Sequence, residues 1–171
     1  YGRSEGSPSE RGLYRDGDAA WRHLVEERGV SPERLLVHGH SLGAAVAIQV
    51  ATERRVAGVV ASAGFATLPS LASRLYGWIP DRAFRGWERN RFDSEARIGR
   101  VDAPVLVVAG GRDEIVEAEE VRRLFEAARE PKRWVEVPRA RHNDLLDRAP
   151  FWHAASSFAD ETLPGETESL R

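Results

Sequence analysis

The chain contains no cysteine and no methionine. Without cysteine there is no disulfide framework, no thiolate metal site and no thiol nucleophile, and the composition is silent on redox compartment. Without methionine, Tyr1 is not expected to be a translation start, and sequence upstream of it is expected. No stretch reaches about 18 consecutive apolar residues, and no charged-then-apolar segment opens the chain, so neither a membrane span nor a signal peptide is read from it. An excess of one charge is also missing: 25 Lys and Arg stand against 27 Asp and Glu, a formal net charge of -2. The arginines are interleaved with acidic residues, which leaves no electrostatic footprint for nucleic acid, and nucleic acid is not expected as a partner.

What remains is a chain of 171 residues, 42% apolar and 30% charged, the profile of one globular domain. The domain is expected over 1–164, with the polar end, 165–171, as a disordered tail. Short apolar runs alternate with helical patterns. Ser7-Pro8-Ser9-Glu10 reads as a capping box with Ser7 at the N-cap, opening a helix to about residue 28 that Gly29 stops. A strand is expected over 34–38, then a turn at Ser41 and a helix to about residue 53. The runs 56–63, 104–109 and 133–137 read as further strands. The hydrophobicity of 56–63 and 104–109 is near-continuous rather than alternating, as in a parallel sheet covered on both faces. Val121, Leu124, Phe125 and Ala128 fall at i, i+3, i+4 and i+7, an amphipathic crossover helix, and a last helix is expected from Leu145 to about Thr162. The order predicts a doubly wound α/β sheet. Residues 65–99 break the rhythm with Leu68, Leu71, Leu75, Tyr76, Trp78, Ile79, Phe84 and Trp87. This segment reads as a short helical insert over the sheet end, equally an acyl-group pocket or plain packing.

The stretch "LLVHGHSLGAAVA" carries Gly39-His40-Ser41-Leu42-Gly43 between an apolar run and an alanine-rich one. A serine hydroxyl is a weak nucleophile that needs an adjacent base, itself oriented by a carboxylate. The pattern G-x-S-x-G between strand and helix presents such a serine on a sharp turn, with the chain order Ser, acid, His. Gly39 and Gly43 are expected to remove side chains that would clash in the turn, and the backbone N–H of Leu42 to face a developing oxyanion. Asp113 follows the third strand and His142 the fourth, so both fall on the same sheet edge as Ser41. Two alternatives stay open: Asp113 as a cap for the next helix, with Glu114 as a competing carboxylate, and His142 as a surface histidine. His23, His38, His40 and His153 fit the order less well, and His38 and His40 read as neighbours packed at the strand end. Neither has carboxylates at ligand spacing, so no metal site is expected.

On these residues the sequence resembles the α/β-hydrolase superfamily, and within it the serine hydrolases of the membrane-associated, palmitoyl-thioesterase-like and serine-aminopeptidase-like branch. The likeness covers nearly the whole chain: "LLVHGHSLGAAVA" resembles the elbow, "RFDSEARIGRVDAPVLVVAGGRDEIV" the acid region and "RARHNDLL" the histidine loop. It implies an α/β-hydrolase fold with helices on both faces and a short cap. It also implies Ser41 as nucleophile, Asp113 as acid, His142 as base and Leu42 as a backbone oxyanion donor. The implied reaction is hydrolysis of an ester or thioester in a small-molecule or acyl substrate, through an acyl-enzyme and without a cofactor. An Asp-nucleophile dehalogenase or epoxide hydrolase is disfavoured by the serine. Where the family usually has glycines before the histidine this chain has Arg139 and Arg141, and where it often has Asp in the acid loop this chain has Gly111. In the family the opening "YGRSEG" follows the fourth strand, so the first strands, and the loop supplying a second oxyanion N–H, are expected to be absent. Membrane association is expected only through that missing region. The alternative reading is a non-catalytic fragment or binding scaffold of a longer hydrolase.

Overall fold

The computed structural model describes residues 7–77 and 90–165. Strands β1 (Leu36–His40), β2 (Gly58–Ser62), β3 (Val105–Gly110) and β4 (Lys132–Val137) form one sheet in the order β1-β2-β3-β4, every neighbouring pair parallel. Parallel neighbours need a crossover, and helices supply each one. Helix α1 (Glu10–Arg22) precedes β1, and α2 (Leu42–Glu53) joins β1 to β2. Helices α3 (Leu68–Leu75) and α4 (Ser94–Ile98) lie between β2 and β3, α5 (Ala118–Ala127) joins β3 to β4, and α6 (Ala149–Thr162) follows β4.

The two middle strands explain the continuous hydrophobic runs, since every residue of β2 and β3 is buried. Successive side chains point to opposite faces. Val59, Ala61, Val105 and Val107 enter a core with Ala44, Ala47 and Ile48 of α2 and Val121 and Leu124 of α5. Val60, Leu106 and Val108 enter a second core with Leu145 and with Phe151 and Phe158 of α6. Strand β1 has no partner on its outer side among the described residues. Beside it an apolar groove of about 410 Å³ is lined by Leu13, Trp21, Leu24, Leu36, Val46 and Val50 among others.

Local boundaries moved where side chains found distant partners. Strand β1 starts two residues later than the apolar run suggests, because Pro32–Arg34 forms a 3₁₀ turn and pairing with β2 runs from Leu36↔Gly58 to His40↔Ser62. The first helix is capped by Ser9, not Ser7: the Ser9 hydroxyl accepts from Gly12 N at 3.0 Å. Glu10 does not reach back to a cap. Its buried carboxylate accepts from Phe92 N at 3.0 Å and pairs with Arg97 at 3.2 Å. The helix continues as a π turn, His23–Glu27, and ends at Gly29, whose φ of +69° is the left-handed geometry glycine tolerates.

The segment between β2 and β3 leaves and rejoins the domain through one neck. Ser94 N and Glu95 N donate to Ala66 O at 2.9 and 3.1 Å, and Leu68 N donates to Arg91 O at 2.7 Å. A buried carboxylate from another helix holds each foot: Glu10 of α1 takes Phe92 N, and Glu120 of α5 takes Ala66 N at 3.0 Å and Ser70 Oγ at 2.8 Å. Of the aromatic and apolar residues expected in the insert, Trp78, Ile79, Phe84 and Trp87 lie outside the described residues, as does 166–171 of the expected tail. Among the described residues no helix is long and apolar enough to cross a membrane.

Glu120→Ala would leave the Ala66 N–H buried without an acceptor, and stability is expected to fall by about 1–3 kcal/mol. Thermal unfolding checks this against Glu119→Ala, at an exposed position in the same helix, which should stay within about 0.5 kcal/mol of the parent.

Candidate active site

Strand β1 must become helix α2 within a single residue, and Ser41 is that residue. Its backbone adopts φ 55° and ψ -119°, a conformation that costs a non-glycine residue about 1–3 kcal/mol. The turn closes so tightly that a Cβ on Gly39 would lie 2.0 Å from the carbonyl oxygen of Gly43. Gly43 does not share this role, which corrects the expectation for that glycine: a Cβ there would meet nothing within 4 Å. It borders the open groove beside β1, so tight packing is not what excludes a side chain from it. Leu42 is the first residue of α2, so its N–H is among those a helix start leaves without an intrahelical acceptor.

The Ser41 hydroxyl lies 2.9 Å from His142 Nε2, and His142 Nδ1 lies 2.8 Å from Asp113 Oδ2. Asp113 and His142 are 5% and 6% exposed, so the pair is withdrawn from solvent. Asp113 Oδ1 accepts from Ile115 N at 2.9 Å and Val116 N at 2.8 Å, which makes it a turn-former as well as the partner of His142. Burial pushes the Asp113 carboxyl up, and the hydrogen bonds from His142, Val116 and Ile115 outweigh it, holding the group below the usual carboxylate range. An anionic Asp113 can only accept, so Nδ1 of His142 carries the proton and Nε2 is left to accept from Ser41. Glu114, the competing carboxylate, is exposed.

The loops bearing Asp113 and His142 are stitched together by backbone bonds, Gly111 N to Val137 O at 3.0 Å and Arg112 N to Ala140 O at 2.9 Å. Arg139 has φ 61°, the left-handed geometry that favours glycine at this position, and Arg141 is extended at φ -93°. At Gly111 a Cβ would come within 3.0 Å of the Glu136 carboxylate, so an Asp there would meet a like charge. Ser62 was not anticipated as part of the site. Its backbone carbonyl accepts from Ser41 N at 2.9 Å and its hydroxyl reaches Gly39 O at 3.1 Å, tying β2 to the turn from behind. A small polar residue in an otherwise apolar strand was the available signal. A separate groove of about 1040 Å³ between α1, α2 and α4, lined by Glu10, Tyr14, Arg54 and Arg97 among others, contains none of the three site residues. Among the described residues no cluster of three His, Asp or Glu side chains is placed to hold a metal ion.

Parallel sheet, flanking helices and a serine on a strained turn between strand and helix define an α/β-hydrolase fold. Residues 10–144 match the sequence profile of the prolyl oligopeptidase family, and the chain belongs to that family. An uncharacterized protein of Mycobacterium tuberculosis, Rv2307c, is 43% identical over 164 residues, covering 95% of this chain and 57% of that protein. Alpha/beta hydrolase domain-containing protein 17C of Homo sapiens is 34% identical over 167 residues, 96% of this chain and 48% of its own length. The chain spans about half the length of these curated relatives. Among solved structures, acetyl xylan esterase 1 from a Thermoanaerobacterium species matches with a TM-score of 0.70 at 20% identity, over 88% of this chain and 52% of that one, a likeness of fold.

Two outcomes follow from this geometry. Because the Asp113 carboxyl is held below its unfolded value, its ionisation contributes stability that is full above about pH 5 and is lost as pH falls through the folded value. Melting curves of the parent and Asp113→Asn should therefore converge as pH is lowered below about 4. At the left-handed position, Arg139→Gly should match or exceed the parent in stability, whereas Arg139→Val should lose about 1–3 kcal/mol.

Proposed function

We propose that this chain bears the catalytic centre of a serine hydrolase that cleaves carboxylic ester or thioester bonds through an acyl-enzyme. The observation that carries the reading is the unbroken hydrogen-bonded series from Ser41 Oγ through His142 to a buried Asp113. In this mechanism Ser41 Oγ attacks the carbonyl carbon while its proton passes to His142 Nε2. Asp113 holds the imidazole in the required tautomer and stabilises the imidazolium that forms. The developing oxyanion faces the Leu42 N–H and the positive end of α2. Collapse of the tetrahedral species expels the alcohol or thiol, which takes the proton from His142. Water then attacks the acyl-Ser41 ester with His142 again as base, releasing the carboxylic acid and restoring the serine. None of these steps calls for a cofactor.

The family's name is that of peptidases, and amides pass through the same intermediate with a poorer leaving group, so an amide belongs in any substrate series. A second reading, a non-catalytic part or binding scaffold of a longer hydrolase, is favoured by the outer edge of β1, which no strand among the described residues pairs. The resemblance also assigns the second oxyanion donor to a loop that precedes the matched region, and loss of one donor costs about 10²–10³ in turnover.

Covalent labelling by a fluorophosphonate separates the two readings. The chain should label at Ser41, with labelling abolished in Ser41→Ala and after denaturation. Asp113→Asn should slow acylation by about 10⁴-fold. A folded chain that takes no label would instead support the scaffold reading.

A further inference from the structure

His40 precedes Ser41 and takes no part in the mechanism above, on which this inference rests. Its ring lies against that of His142, centroids 5.0 Å apart and planes inclined by 43°. On its other side, His40 Nδ1 is 3.3 Å from the hydroxyl of Ser62, a residue with no exposed surface at the carboxyl end of β2. That hydroxyl has one proton, which it gives to Gly39 O at 3.1 Å. The same oxygen is within hydrogen-bonding distance of both neighbouring rings, 3.0 Å from His38 Nε2 and 3.3 Å from His40 Nδ1. The His40 ring is thus tied to β2 at its edge and packed, at a tilt, against the ring of the base. Burial, then the neighbouring His142, lower its pKa, so it packs as a neutral ring.

His142 is held at two points, Nδ1 by Asp113 and Nε2 by Ser41. Both bonds lie in the plane of the imidazole and pin its ends, while neither restrains its tilt. The face of the ring needs a surface to rest on, and His40 provides one that β2 anchors through Ser62. We infer that His40 is a positioning residue for the base: it fixes the tilt of the His142 ring so that the Nε2 lone pair stays aligned with the Ser41 hydroxyl. It exchanges no proton in the mechanism above, so its loss acts through His142. A misplaced base can cost a factor of about 10².

The test compares the parent with His40→Ala, His40→Phe and Ser62→Ala. Concentrations are set by active-site titration, and kcat and KM are measured with p-nitrophenyl acetate. His40→Ala should lower kcat by about 10- to 100-fold with KM within about twofold. His40→Phe, which keeps a ring but loses the bond to Ser62, should recover to within about threefold of the parent. Ser62→Ala, which likewise keeps a ring and loses that bond, should match His40→Phe. A parental kcat in His40→Ala overturns the proposal, as does a His40→Phe enzyme as slow as His40→Ala. A lowered melting temperature with unchanged kcat per titrated site marks a merely structural role and overturns it too.

A second readout is independent of turnover: the proton NMR resonance of His142 Nδ1–H bonded to Asp113. It should be sharp in the parent and in His40→Phe and broadened in His40→Ala. Equal sharpness in all three, or absence from the parent, overturns the proposal. If the parent takes no fluorophosphonate, the proposed function fails while this resonance still decides whether His40 orders the ring.

Discussion

A carbonyl oxygen lying 2.0 Å from where a side chain on Gly39 would begin sets the terms for the rest of the structure. It reflects how abruptly β1 gives way to α2, and that abruptness holds Ser41 at a positive φ. Nothing local favours such a conformation, so other contacts must offset its cost. The helix that follows buries Ala44, Ala45, Ala47 and Ile48 against the sheet, small side chains that bring its axis close. From the next strand, Ser62 takes the Ser41 N–H and reaches the Gly39 carbonyl. Strain at one residue is thus spread over a strand, a helix and the neighbouring strand.

The partners of Ser41 arrive by a different route. A parallel sheet delivers all its strands' carboxyl ends to one edge, so residues that follow β1, β3 and β4 meet without further folding. Bringing them to hydrogen-bonding distance takes the two backbone bonds between the loops after β3 and β4. It also takes Arg139 turning through the left-handed region, a residue without glycine's freedom. Gly111 and Glu136 make a complementary arrangement, in which the smaller residue leaves room for the carboxylate.

What could be read from the sequence is what depends on neighbours along the chain. Unbroken apolar runs in β2 and β3 announced strands buried on both faces, and Val121, Leu124 and Phe125 announced the helix between β3 and β4. The order of Ser41, Asp113 and His142 was equally plain, but their separations join residues 101 and 29 positions apart and belong to packing. The misreadings share that origin. Ser7 looked like a cap because Glu10 stood at the right spacing, and Glu10 is engaged by Phe92, 82 residues away. Gly43 looked like a steric necessity because it completes a motif, and the fold leaves open space beside it. Ser62 stood unremarked in an apolar run because its partners lie on another strand.

The neck through which residues 67–91 depart has a consequence for how such a protein diversifies. Both of its feet are fastened to the body, by Ala66 accepting from Ser94 and by carboxylates from α1 and α5, so the closure of the neck rests on bonds made by the body alone. The candidate site and the segment beyond the neck thereby occupy separate stretches of chain. The strand ends can keep one arrangement of serine, imidazole and carboxylate unaltered while the material outside the neck is lengthened, shortened or exchanged. A lineage built this way can exchange the insert without rebuilding the body that carries it.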